Sequence, residues 1–89
     1  MHESGIIRGL VEKMEKVVES HGGGKISKVK VYIGALTNIS VNHFQEHYDI
    51  ETAGTVAEGA KLEVETSADY FHPQANCIFL KSLEVEGAE

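Results

Sequence analysis

The chain opens Met1-His2-Glu3, and a free amine, a peptide nitrogen and an imidazole at position two can close fused rings around one metal ion. Nitrogen-rich, tetragonal donor sets of this kind suit nickel(II) and copper(II). Calcium and magnesium, which ask for oxygen, do not fit. The peptide nitrogen must lose its proton to bind, so affinity is expected to rise with pH. Glu3 adds a carboxylate or a further amide nitrogen, and negative donors offset the positive end of any helix that starts here. A plain solvated start of the chain is the alternative.

A second place for metal chemistry is His43-Phe44-Gln45-Glu46-His47. Histidines four residues apart share one face of a helix, the spacing of a two-histidine metal pair. The glutamate does not follow the first histidine, so the protease motif HExxH is absent, and no third ligand declares itself. Surface histidines beside an apolar face fit the same pattern. A metal enzyme built on His43 and His47 is the weakest functional reading, and no catalytic residue is assigned. Cys77, beside Ile78 and Phe79, is expected to be a small buried hydrophobe rather than a nucleophile. His21 at a helix end and His72 in a loop read as ordinary. Gly22-Gly23-Gly24 leads into a strand, so it lacks the helix N-terminus that a phosphate loop needs.

The elements that must position these residues follow from periodicity. Ile7, Leu10, Val11, Met14, Val17 and Val18 recur at threes and fours, which predicts a helix from about Ser4 to Ser20 with Ser4 as its cap. From Lys25 the period becomes two, with Val29, Val31 and Ile33 against Lys28, Lys30 and Tyr32, a half-buried strand ending at Gly34. Ile26 differs in parity from Val29, so either the regular strand begins near Lys28 or a bulge lies before it. Ser40 or Asn42 caps a second helix in which Val41, Phe44 and Tyr48 share one face and His43 and His47 lie on its neighbour. Ala60, Leu62 and Val64, alternating with Lys61, Glu63 and Glu65, mark a second strand. A last strand from about Cys77 to Glu86 needs a bulge near Lys81-Ser82 to turn Ile78, Leu80, Leu83 and Val85 to one side. The expected fold is a two-layer α/β (α+β) domain, two helices on one face of a small mixed three-stranded sheet. Its first pair of strands is parallel and its third strand antiparallel.

Composition narrows the function classes. With 89 residues, one domain is expected, small enough to need help from a metal or partner. Acidic residues outnumber basic ones 14 to 8, and no basic run offers a footprint for nucleic acid. No apolar run approaches a membrane span, and the start does not resemble a signal peptide, so a cytoplasmic protein is expected. The single cysteine excludes an internal disulfide and a cysteine-rich zinc site within one chain. A homodimer is compatible with so small a chain and an uncovered sheet edge.

Met1-His2-Glu3 leading into an amphipathic helix, Val31-Tyr32-Ile33-Gly34-Ala35-Leu36, the run Gly54 to Val64, and the ending Leu80-Lys81-Ser82-Leu83-Glu84-Val85 together resemble the HypA/HybF family of hydrogenase maturation factors. The resemblance covers nearly all of the chain. It implies a non-enzymatic, cytoplasmic nickel metallochaperone. Its partners would be a [NiFe] hydrogenase large subunit precursor and a HypB-type GTPase, and Ni(II) its cargo. It places nickel on Met1 through its amine, on His2 through backbone nitrogen and imidazole, and on Glu3 through the next backbone nitrogen or its side chain. Relatives insert a zinc module with two CxxC pairs before the last strand, where this chain has only Thr66 to Asn76. The expectation is one zinc-less nickel domain over residues 1–89, without structural zinc. A metal-independent adaptor for a maturation complex is the competing reading.

Overall fold

The computed structural model describes residues 3–86, with side chains from residue 5 onward. Five elements follow one another: α1 (Glu3–Ser20), β1 (Lys25–Ile33), α2 (Val41–Thr52), β2 (Lys61–Thr66) and β3 (Ile78–Glu86). The strand order is β2-β1-β3, with β2 parallel and β3 antiparallel to β1. This is the two-layer α+β arrangement that the periodicities predict.

α1 buries the stripe Ile7, Leu10, Val11, Met14 and Val18. It begins at Glu3, so Ser4 lies inside the first turn instead of capping it. Its end is fixed by backbone chemistry: Gly23 N–H donates to the Val18 carbonyl at 2.9 Å and Gly22 N–H to that of Glu19 at 3.2 Å. Gly22 takes φ 92°, the left-handed conformation that this Schellman turn needs and glycine alone adopts freely. The chain is thereby turned straight into β1.

Val29, Val31 and Ile33 of β1 meet Phe44 and Tyr48 of α2 and the α1 stripe in a single core. β1 is regular from Lys25, so the parity conflict is resolved by a bulge, and the bulge expected in β3 is present as well. Ser27 is unpaired between Ile26↔Val85 and Lys28↔Glu84, and Lys81 is unpaired between Ser82 and Leu80. The first lets Ile26 and Val29 both point inward, and the second does so for Ile78, Leu80, Leu83 and Val85.

The other face of the sheet is charged along most of its length. Lys28 pairs with Glu63 at 3.2 Å, and Glu65 is held by Lys81 at 2.9 Å and Lys30 at 3.7 Å. Those contacts hold the Glu65 carboxyl below its usual range, the Lys81 hydrogen bond contributing most. Tyr32 breaks the polar series that its alternation with Lys28 and Lys30 suggests: it is buried, stacked on Phe79 at 4.8 Å with His72 5.9 Å away. The cause is the segment between β2 and β3, which folds over this end of the outer face. That cover is fastened where β1 ends, by Gly34 N–H to the Cys77 carbonyl and Leu36 N–H to the Ala75 carbonyl. A Cβ at Gly34 would run into that Ala75 carbonyl, so the close approach requires glycine.

Candidate metal centre

His43 and His47 lie toward the end of the molecule where β1 gives way to α2. Beyond Ile33 the chain turns through 35–40, with Asn38 at φ 60°, a left-handed conformation that asparagine tolerates better than most residues. Ser40 then caps α2, its hydroxyl accepting from the His43 N–H at 3.1 Å, which selects between the two expected caps. Ile6, one turn into α1, lines an open groove of about 630 Å³ together with Leu36, Asn38, Ile39, Asn76 and Ile78. The start of α1 therefore lies beside the start of α2.

His43 and His47 come together on α2, ring centroids 6.1 Å apart and planes at 79°. His43 is exposed and His47 half-buried. Glu51, four residues further on, takes Arg8 of α1 through two contacts, Nε to Oε1 at 3.3 Å and Nη2 to Oε2 at 3.4 Å. The Arg8–Glu51 tie has no signature in the sequence, because the two residues are 43 apart and only the fold joins them. Among the described residues no group of three or more His, Cys, Asp or Glu could hold a metal ion. The histidine pair is therefore not, by itself, such a group.

Of the terminal candidates, Met1 and His2 lie outside the described residues, and Glu3 is described only as the first residue of α1. His21 is structural: its Nδ1 donates to the Val17 carbonyl at 2.9 Å, satisfying one of the free carbonyls at the end of α1. His72 accepts from the Gln74 N–H at Nδ1, 2.9 Å, and lies against Tyr32. Cys77 corrects an expectation, for it is exposed rather than buried. It stands one residue ahead of β3, and Ala75 takes the inward place in that turn, 3% exposed.

Residues 1–78 match the family model described as hydrogenase/urease nickel incorporation, metallochaperone, hypA. The hydrogenase maturation factor HypA of Nitrosospira multiformis is 37% identical over 65 residues, covering 73% of this chain and 56% of that protein. HypA of Caldanaerobacter subterraneus is 42% identical over 62 residues, 70% of this chain and 54% of that protein. These alignments thus span a little over half the length of each relative. The solution structure of the Ni metallochaperone HypA from Helicobacter pylori superposes with a TM-score of 0.79 at 20% identity, covering 96% of this chain and 97% of that one. At that identity the likeness speaks for the fold. A family match that runs from the first residue to the start of β3, on relatives more than 30% identical, is decisive for descent: the chain belongs to the HypA family.

Proposed function

We propose that this protein carries nickel(II) for the maturation of a [NiFe] hydrogenase, holding it at Met1, His2 and Glu3 and releasing it to a partner. The observation that carries the reading is the family match, which includes those three residues at the front of α1. Their donors are the terminal amine, deprotonated amide nitrogen and the His2 imidazole, a set that suits nickel(II) on chemical grounds. The ion is cargo, so the protein needs no catalytic group. Its partners would be a hydrogenase large subunit precursor and a HypB-type GTPase, in the cytoplasm; no helix among the described residues is long and apolar enough to cross a membrane.

Titration of untagged protein with nickel(II), followed by visible absorption, tests this. The expected result is one tight site that rises in affinity with pH and is lost in His2→Ala. Unchanged binding in that variant would remove the ligand set. The alternative, a metal-independent adaptor, draws on Tyr70 and Phe71, which stand 61% and 97% exposed on the segment between β2 and β3. Capture of a hydrogenase precursor by metal-free protein, lost in Phe71→Ser, would favour it.

A further inference from the structure

We propose that the segment between β2 and β3 is a pH-operated cover: protonation of His72 breaks the turn that holds it down and bares Tyr32 on the outer face of the sheet. The turn is built on one side chain. His72 Nδ1 accepts from the Gln74 N–H at 2.9 Å, and a backbone amide can only donate, so Nδ1 is the unprotonated nitrogen of a neutral ring. Asparagine and aspartate make the same bond, from side chain to the amide two residues on, in many turns. Here a group that titrates near neutrality makes it.

The cover hangs on that turn. Ala75 N–H donates to the His72 carbonyl at 3.0 Å and Cys77 N–H to the Gln74 carbonyl at 3.0 Å, while the Ala75 and Cys77 carbonyls take the Leu36 and Gly34 N–H groups at 2.7 and 2.9 Å. Gln74 therefore stands between the side chain that fixes it and the two ties to the end of β1. A second proton on His72 sets N–H against N–H and leaves the Gln74 amide without its acceptor. The closed cover also carries a standing cost. The Tyr32 hydroxyl, buried beneath it, has no hydrogen-bond partner among the described residues, and it regains water when the cover lifts. The His72 ring, 5.9 Å from that of Tyr32, leaves with the segment that bears it.

Only neutral His72 fits the closed form, so closure is favoured above the range in which histidine ordinarily charges, about pH 5 to 8, and is lost as pH falls through it. The other ionisable groups around the cover come from three strands and the cover itself. β1 supplies Tyr32 and Lys30, β2 supplies Glu65 opposite Tyr32 in the ladder, and β3 supplies Lys81. Both lysines are engaged with Glu65. Cys77 is exposed just ahead of β3, and within the cover the Asp69 carboxylate accepts from the Phe71 N–H at 2.9 Å. Carboxylates ordinarily titrate near pH 4 and thiols, phenols and amines above about pH 8, so a window from about pH 7.5 to 5.5 isolates the imidazole.

Amide hydrogen exchange of the full chain, followed by NMR across that window and corrected for the intrinsic effect of pH, tests the cover in wild type, His72→Asn and His72→Ala. In wild type, protection at Leu36 and Gly34 is expected to fall about tenfold from the upper to the lower pH, the scale of a hydrogen bond lost with its amide left unpaired. Met14 and Val29 in the core should keep theirs. His72→Asn retains an accepting atom without the titration and should stay protected at both ends of the window, whereas His72→Ala should be poorly protected at both. Wild-type protection at Leu36 that does not change with pH would overturn the proposal, and so would an equal fall in His72→Asn, which would put the trigger on another group. A fall shared by Met14 and Val29 would overturn it as well, since the whole domain would then be opening rather than its cover.

Discussion

Arg8 of α1 and Glu51 of α2 meet fork to fork, two guanidinium nitrogens on two carboxylate oxygens at 3.3 and 3.4 Å. The hydrogen bond first and the charge of Glu51 second raise the Arg8 pKa above its usual value. Arg8 is nevertheless well exposed, 65% at the side chain, and exposed pairs contribute little to stability. Arg8→Ala is therefore expected to leave the Tm almost unchanged, and in molar salt not to differ from wild type at all. A large loss of Tm in Arg8→Ala, measured by circular dichroism, would contradict this.

Glu65 offers a second test. Its carboxyl is held low by Lys81 and then Lys30, so the stability it lends is present above the unfolded-state value and fades as pH falls through the depressed native one. Lys81→Met should move the Glu65 titration up toward the ordinary carboxylate range, read by carboxyl carbon NMR. The shift should shrink in high salt, because both partners face solvent.

Tyr48 stacks with Phe44 at 6.2 Å and is 2% exposed, yet its hydroxyl finds no hydrogen-bond partner among the described residues. Tyr48→Phe should be neutral or stabilising, by up to about 1 kcal/mol, since an unsatisfied buried hydroxyl is removed. Burial, and then the charge of Asp49, push the phenol up to about 12. A raised native value favours folding below the unfolded-state value and loses that contribution as pH climbs through the native one. Urea unfolding of wild type should accordingly weaken between about pH 10 and 12, and Tyr48→Phe should lack that share of the decline.

Gly34→Ala should act at a distance along the chain. The added methyl displaces the Ala75 carbonyl, and with it the Leu36 N–H bond of 2.7 Å that fastens the cover over Tyr32. A cost of about 1–3 kcal/mol is expected for forcing such a contact. Hydrogen exchange at Leu36 should accelerate beyond what global destabilisation explains, and Tyr32 fluorescence should report increased access to water.

The elements whose partners lie within the same run of residues were legible from sequence. The three-four stripe of α1 became its buried face, and the parity conflict between Ile26 and Val29 became the bulge at Ser27. Tyr32, buried, and Cys77, exposed, depart from what local sequence implies for one shared reason. Whether a side chain at the end of a strand is covered depends on where a distant loop lies, and local alternation carries no trace of it. The candidate site divides in the same way. His43 and His47 are visible as a pair, while the neighbouring tie of Arg8 to Glu51 joins residues 43 positions apart and emerges only from the fold.

Ser27 and Lys81 are both residues that the β1–β3 ladder passes over. Removing either would leave every neighbouring pair matched and every core residue on its own side; the remaining chain would read as a strict alternation. In evolutionary terms these are the two positions where the sheet can gain or lose a residue without cost to its interior, and where an alignment gap belongs. A gap one or two places away, at Val29 or Leu83, would instead turn half a strand inside out.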